Sequence, residues 1–185
     1  MRLYALCDRD VLRSRDISFE TFIQKVKSLN GEIVQYRNKH DDIATIKNDL
    51  IALRQLWDGF LIINDHYELV PYCDGVHIGQ EDLYSIDSDP SRALQILKLA
   101  IGNDKIVGLS THNTEEIAIA NTLDLNYIGL GAYRATSTKK EAGVLGDALD
   151  ALAKRSTHPV AAIGGIKTDD IFEYVTYHVI GSGLL

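Results

Sequence analysis

Short apolar runs alternate with segments of helical periodicity from one end of the chain to the other. Apolar runs bounded by turn residues are typical of strands, whereas apolar residues spaced three or four apart are typical of one helix face. Regular alternation of the two predicts βα units around a parallel sheet. The pattern predicts strands near residues 2–8, 32–37, 60–65, 75–79, 105–111, 127–133, 159–165 and 178–183, and helices over 18–29, 41–57, 91–101, 113–123, 144–156 and 167–177.

The number of predicted strands decides between two α/β folds. Eight strands favour a (β/α)8 TIM barrel over a doubly wound open sheet, although the alternation suits both. The runs at 60–63 and 160–163 are continuously apolar, as expected of strands that helices cover outside and side chains fill inside. We expect one small barrel domain over residues 1–185, because no linker divides the chain. The sequence ends near the eighth strand, so the eighth outer helix is expected to be missing.

Composition and charge restrict the function. The chain has 185 residues, 45% hydrophobic and 24% charged, which is ordinary for a globular domain. No apolar stretch is long enough for a membrane span and the amino-terminal segment is charged, so we expect a cytoplasmic protein without a membrane partner. A net charge of -7 argues against a nucleic-acid partner. A small phosphate ligand remains compatible with that charge if a few cations and a divalent ion converge on it.

The end of the second predicted strand carries an amide and two cations. Strand side chains alternate faces, so Gln35, Arg37 and Lys39 share one side with Ile33 and are expected to point into the barrel mouth. Cations on a buried face are costly without an anionic partner. The pattern therefore indicates an anion site, with a solvated loop as the alternative.

Two aspartates follow the third and fourth predicted strands. Asn64 and Asp65 end one strand, and Asp82 lies in the turn after the next, beyond His77. Magnesium prefers oxygen ligands and commonly takes one or two carboxylates together with substrate phosphates. Asp65 and Asp82 are therefore candidate Mg2+ ligands, and helix capping or turn formation is the alternative. We expect the His77 imidazole to be satisfied within a strand and assign it no metal.

Polar and small residues follow the last four predicted strands. Hydroxyl and ammonium groups suit phosphate oxygens, although a mobile polar loop has the same composition. Glycines let backbone N–H groups approach an anion, and the loops after strands seven and eight form a recurrent phosphate site in barrels. The candidates are Ser110, Thr136, Thr138, Lys139, Gly165 and Ser182.

Eight short segments together resemble the thiamine-phosphate synthases and the related TenI-like proteins. The resemblance extends over nearly the whole chain. The segments are YALCD at 4–8, QYRNK at 35–39, LIIND at 61–65, DGVHIGQED at 74–82, GLSTH at 108–112, YIGLG at 127–131, TSTK at 136–139 and AIGGI at 162–166.

The resemblance implies a Mg2+-dependent transferase that joins hydroxymethylpyrimidine diphosphate to thiazole phosphate, giving thiamine phosphate and diphosphate. It implies that Gln35 holds the aminopyrimidine and that Asp65 and Asp82 hold Mg2+. In such enzymes the diphosphate leaves first, and the thiazole nitrogen captures the resulting pyrimidine methyl cation. The resemblance also implies that Arg37, Lys39, Asn64, Ser110 and Lys139 grip the diphosphate, with Arg37, Lys39, Ser110 and Lys139 as catalytic groups, and that Thr136, Thr138, Gly165 and Ser182 hold the thiazole phosphate.

Two rival functions share this fold. A TenI-like thiazole tautomerase uses a histidine after strand six, where this chain has Gly-Ala-Tyr at 131–133. A non-catalytic barrel that binds thiazole or thiamine phosphates in regulation is the second rival. A barrel without one outer helix exposes apolar surface, so we also expect a homo-oligomer, with Ile171, Phe172 and Val175 contributing to the contact.

Overall fold

The computed structural model describes residues 1–135 and 143–185 and has a closed barrel of eight parallel strands. Each strand pairs with the next along the chain, and the last pairs with the first. The predicted TIM barrel is thus confirmed. The strands are β1 (Leu3–Asp8), β2 (Ile33–Arg37), β3 (Phe60–Asn64), β4 (Gly75–Ile78), β5 (Ile106–Thr111), β6 (Tyr127–Leu130), β7 (Val160–Ala162) and β8 (Tyr177–Ile180).

Helices follow most of the strands and begin at residues suited to cap them. Asp42 accepts a hydrogen bond from the Thr45 N–H, and Asn113 accepts one from the Glu116 N–H. No helix within the described residues is both long and apolar enough to cross a membrane. The helices are α1 (Arg9–Ser14), α2 (Phe19–Ser28), α3 (Ile43–Leu56), α4 (Gln80–Ile86), α5 (Pro90–Ile101), α6 (Thr114–Ala120) and α7 (Ala148–Ala153), with 3-10 helices at Tyr67–Tyr72 and Ser182–Leu184.

The helix predicted over 167–177 is wrong, because this segment is irregular until β8 begins. Aspartate side chains take up backbone N–H groups that a helix would use. Asp170 accepts from the Lys167 N–H, and Asp150 accepts from the N–H groups of Glu173 and Tyr174. Such side-chain bonds compete with a helix, and here they hold the segment against α7 instead.

The inner and outer faces of the barrel form separate apolar layers. The outer faces of the strands pack against the helices, as residues such as Val34, Leu61 and Leu50 show. The inner layer is smaller and contains two tyrosines. Polar residues lie above it, at the carboxyl ends of the strands, where barrel enzymes carry their chemistry. The inner layer consists of Tyr4, Ile33, Ile62, Tyr127, Ala161 and Val179.

Candidate active site

Gln35 and Arg37 both find buried partners near the barrel mouth. The Gln35 Nε2 donates to the Tyr4 hydroxyl over 2.6 Å. Arg37 Nη1 donates to Asp8, whose side chain is 4% exposed and whose other oxygen accepts from backbone N–H groups at the start of α1. A solvated loop does not describe either residue. Asp8 is the anionic partner that a partly buried cation requires, and it holds the guanidinium in place.

The turn after β2 carries Lys39 and is fixed by its neighbour Asn38. The buried Asn38 side chain accepts from the N–H groups of His40 and Asp41 and donates to the Tyr36 hydroxyl. Burial raises the pKa of Asp65, and the positive charges of Lys39 and Arg37 offset part of that rise. Both cations therefore lie close enough to β3 to act on a group bound there.

Asp65 and Asp82 interact electrostatically across the ends of β3 and β4. Burial raises the pKa of Asp65, and the negative charge of Asp82 raises that pKa further. Asp65 also has a left-handed backbone with φ 66°, and its N–H donates to the His77 carbonyl. Asp82 Oδ2 accepts from the Gly79 N–H over 3.1 Å, so the helix-capping alternative applies to one of its oxygens.

This pair fits a divalent cation that phosphate and water would complete. A carboxylate whose pKa is raised by burial and by a neighbouring negative charge, as that of Asp65 is, gains from a positive charge shared with that neighbour. Within residues 1–135 and 143–185, no group of three or more His, Cys, Asp or Glu side chains is arranged for a metal. Mg2+ suits such a sparse site because it keeps several waters and binds through one or two carboxylates plus substrate phosphates.

Ser110 lies near the carboxyl end of β5 and belongs to a largely buried network. Its Oγ lies 3.0 Å from His77 Nε2, and His77 Nδ1 lies 3.1 Å from the Tyr127 hydroxyl. The Gln80 side chain holds the Ser110 backbone by donating to its carbonyl over 2.6 Å. The expectation of a satisfied His77 imidazole is confirmed.

The loops after β6 and β7 are joined by Arg134. Its Nη1 donates to the Gly165 carbonyl over 2.7 Å. Gly165 has φ 66°, and a Cβ built on it would lie 2.9 Å from the Arg134 Cβ. Glycine is therefore required here by both backbone conformation and space. Ser182 lies beyond β8 and is exposed at the start of a 3-10 helix, and its carbonyl accepts from Arg15.

The structure brings together most of the predicted residues for the pyrimidine diphosphate, whereas part of the predicted thiazole phosphate site lies outside the described residues. The predicted residues of β2, β3 and β5 lie on or just beyond these strands towards their carboxyl ends, whereas Asp82 lies in the first turn of α4 and not in a turn before it. Thr136, Thr138 and Lys139 lie outside the described residues. The sequence alone does not single out Asp8, although Tyr4 and Tyr127 stand out as hydroxyl-bearing residues at inward positions of apolar strands. The predicted residues that the structure brings to this part of the barrel are Gln35, Arg37, Lys39, Asn64, Asp65, Asp82 and Ser110.

Comparisons of the sequence with known proteins all identify the same family of synthases. The sequence profile of a family described as thiamine monophosphate synthase matches residues 3–182. A thiamine-phosphate synthase from Persephonella marina is 31% identical, covering 92% of this chain and 79% of that protein. One from Lawsonia intracellularis is 34% identical, covering 95% of this chain and 79% of its own length.

Solved structures share the barrel. Thiamine phosphate pyrophosphorylase from Pyrococcus furiosus superposes with a TM-score of 0.77 at 24% identity, covering 98% of this chain and 87% of that one. The tryptophan synthase alpha subunit from Legionella pneumophila superposes with a TM-score of 0.63 at 12% identity, covering 98% of this chain and 80% of its own. At these identities the superpositions support the fold alone.

Proposed function

The chain belongs to the thiamine monophosphate synthase family, and from that membership we propose that it joins hydroxymethylpyrimidine diphosphate to thiazole phosphate. The products are thiamine phosphate and diphosphate, so the enzyme is a transferase. The observation that carries the proposal is the meeting of Arg37, Lys39 and Ser110 with two coupled aspartates at one barrel mouth. That combination suits a diphosphate leaving group better than a single phosphate.

Arg37 and Lys39 supply fixed positive charge for the leaving group. When the carbon–oxygen bond to the pyrimidine methylene breaks, the diphosphate keeps the electron pair and gains negative charge. Arg37 is held by Asp8, so little reorganisation is needed as that charge develops. Lys39 follows β2, Asn64 ends β3 and Ser110 lies near the end of β5, and we assign all three to the same diphosphate. Lys139 is proposed to add a further cation.

Asp65 and Asp82 are the proposed ligands of Mg2+. When bound, the ion neutralises part of the charge on the leaving diphosphate. The fit rests on the raised pKa of Asp65 and on its coupling to Asp82. Asp82 can hold the cation with one oxygen while the other caps α4 through Gly79.

Gln35 and the inner apolar layer are the proposed site of the aminopyrimidine. The buried amide donates to Tyr4 and lies beside Ile62 on the next strand, and with the pyrimidine bound these side chains would exclude water from the reacting methylene. Exclusion of water favours capture of the pyrimidine cation by the thiazole nitrogen, whose lone pair forms the new carbon–nitrogen bond. No side-chain nucleophile is needed, so the residues act through position and charge.

The thiazole phosphate is proposed to bind at the loops after β7 and β8. Gly165 and Ser182 lie at these strand ends, and Thr136 and Thr138 are assigned to the same phosphate. The conformation of Gly165 is held by Arg134, which ties it to the loop after β6. A phosphate there would place the thiazole ring towards the barrel axis, opposite Gln35.

A product assay separates this function from the rivals. The purified protein is incubated with Mg2+ and thiazole phosphate, with and without the pyrimidine diphosphate, and the mixture is separated by chromatography. The proposal expects thiamine phosphate only when both substrates are present. Interconversion of thiazole tautomers without thiamine phosphate would indicate the isomerase, and binding without turnover would indicate a regulatory barrel.

A further inference from the structure

A continuous chain of hydrogen bonds crosses the barrel interior beneath the mouth. Gln35 Nε2 lies 2.6 Å from the Tyr4 hydroxyl, which lies 2.8 Å from the Tyr127 hydroxyl. His77 continues the chain, with Nδ1 3.1 Å from Tyr127 and Nε2 3.0 Å from the Ser110 Oγ. The His77 ring also stacks on Tyr127, with centroids 5.5 Å apart. The two ends of this chain are the two groups assigned to opposite parts of the pyrimidine diphosphate.

The positions of the hydrogens along this chain follow from the number of donors and acceptors that each side chain offers. Tyr4 and Tyr127 are almost completely buried, and burial raises the pKa of both, so each keeps one hydroxyl hydrogen at neutral pH. Gln35 Nε2 can only donate, so it occupies a lone pair of the Tyr4 oxygen. Within the part of the chain that the structure describes, the Tyr127 oxygen is the acceptor left for the Tyr4 hydrogen.

The direction of the first bonds fixes the remaining ones. Tyr127 accepts from Tyr4 and therefore directs its own hydrogen to His77 Nδ1. An accepting Nδ1 carries no hydrogen, so the imidazole hydrogen is on Nε2 and is donated to the Ser110 Oγ. The Ser110 hydroxyl hydrogen is then left to point elsewhere, towards the barrel mouth. At the other end, the Gln35 Oε1 is left as an acceptor.

We propose that Tyr4, Tyr127 and His77 are positioning residues that orient Gln35 as an acceptor and Ser110 as a donor for one substrate. This deepens the proposed function and rests on it. An amide oxygen matches the amino group of an aminopyrimidine, and a hydroxyl hydrogen matches a diphosphate oxygen. The network therefore sets both contacts to the pyrimidine diphosphate at once and selects an amino substituent over an oxo substituent.

The direction of the chain can be measured without any substrate. Long-range proton–nitrogen correlation spectra of the full chain, labelled at histidine nitrogens, report which ring nitrogen carries the hydrogen. The His77 signals are assigned by their loss in His77→Asn. The proposal expects hydrogen on Nε2 at neutral pH. Hydrogen on Nδ1 would mean that every bond runs in reverse, with Gln35 presenting its amide hydrogens, and would overturn the proposal whether or not the enzyme turns over.

Removal of one hydroxyl tests the consequence for binding. Tyr127→Phe takes away the donor to His77 and the acceptor for Tyr4 while keeping the ring. The kcat/KM for pyrimidine diphosphate should fall roughly tenfold, the size expected for one net hydrogen bond, and the KM for thiazole phosphate should stay within about twofold. Discrimination against a 4-oxo pyrimidine diphosphate should weaken. Without Tyr127 as its acceptor, the Tyr4 hydroxyl can donate to Gln35, so the Gln35 amide can rotate and present its hydrogens to the substrate.

Two controls separate positioning from general damage. Tyr177 packs edge-on against Tyr4 in the same interior, so Tyr177→Phe removes a nearby hydroxyl from outside the chain and should leave discrimination unchanged. In Ser110→Ala, adding Tyr127→Phe should cost less diphosphate affinity than it does in the wild type, because Tyr127 acts on that group through Ser110. Equal losses for both substrates in Tyr127→Phe, or full additivity in the double variant, would contradict the proposal.

Discussion

Arg134 donates to both carboxylate oxygens of Asp170, each over 2.7 Å, and so joins the loop after β6 to the segment after β7. The same guanidinium donates to the Gly165 carbonyl. The Arg134 side chain thus supports the loop after β7, in place of the helix expected over 167–177. The conformation of the proposed thiazole phosphate loop consequently depends on an ion pair, which has a predictable response to pH.

Asp170→Asn should destabilise the protein at neutral pH by about 1 kcal/mol, a modest value because Arg134 is partly exposed to solvent. Arg134 lowers the pKa of Asp170 to about 2. A carboxyl with a depressed folded pKa stabilises the protein above its unfolded value of about 3.9, and this is lost as the pH falls towards the folded value. Urea unfolding should therefore show a difference from wild type that is constant near neutrality and shrinks below about pH 4. The exposed neighbour variant Asp169→Asn should show no comparable difference.

Gly165→Ala should raise the KM for thiazole phosphate several-fold and leave that for pyrimidine diphosphate nearly unchanged. The added Cβ would meet the Arg134 Cβ at 2.9 Å on a backbone with φ 66°, so the loop must shift. Gly102→Ala is a matched control, since Gly102 also has positive φ but ends α5 away from the mouth. The control should lose stability through the same kind of strain, on the order of 1 kcal/mol, without a change in either KM. If both KM values rise together in Gly165→Ala, the thiazole phosphate site is misplaced.

Asp82→Asn should slow turnover roughly tenfold at limiting Mg2+, at about 1.4 kcal/mol per decade. Asparagine retains an oxygen for the Gly79 N–H, so the cap survives and only the charge is lost. High Mg2+ should partly restore the rate by mass action. Adding Asp65→Asn should cost less than the sum of the single effects, because both residues act through one ion. Normal turnover of Asp82→Asn at limiting Mg2+ would leave Asp82 with a capping role alone.

Ile171→Glu should weaken self-association. Ile171 is 94% exposed beside the partly buried Phe172 and Val175, so a large apolar side chain lies unprotected on this surface. An interface between copies of the chain would cover it, and a charge there would oppose burial. Gel filtration with light scattering of wild type and variant measures the change. If the wild-type protein is a monomer even at high concentration, the expectation of a homo-oligomer is wrong.

Periodicity together with the number of strands was sufficient to favour the barrel over a doubly wound open sheet, because eight strands suit a closed barrel. The resemblance to the synthase family is likewise confirmed. Short helices such as α1 and α4 span too few residues for periodicity to show. The irregular segment before β8 could not be predicted, since its support comes from Asp150 on α7 and from Arg134.

Among the site residues, the sequence predicts those that depend on local rules and misses those that depend on distant partners. Strand alternation placed Gln35 and Arg37 on the inner face correctly, because that rule is local. It could not show that Asp8 pairs with Arg37 or that Tyr4 contacts Tyr127, since these pairs join residues far apart in sequence. The Asp65 backbone, with positive φ, is likewise set by its bond to His77 on the next strand.

Simultaneous measurement of diphosphate and thiamine phosphate during turnover tests the central claim most directly. The wild-type protein is supplied with pyrimidine diphosphate, thiazole phosphate and Mg2+, and both products are followed over time. The account predicts that the two products appear in equal amounts, that chelation of Mg2+ suppresses both, and that Arg37→Met slows both together. Diphosphate release without thiamine phosphate, or no release with both substrates at saturation, would contradict it.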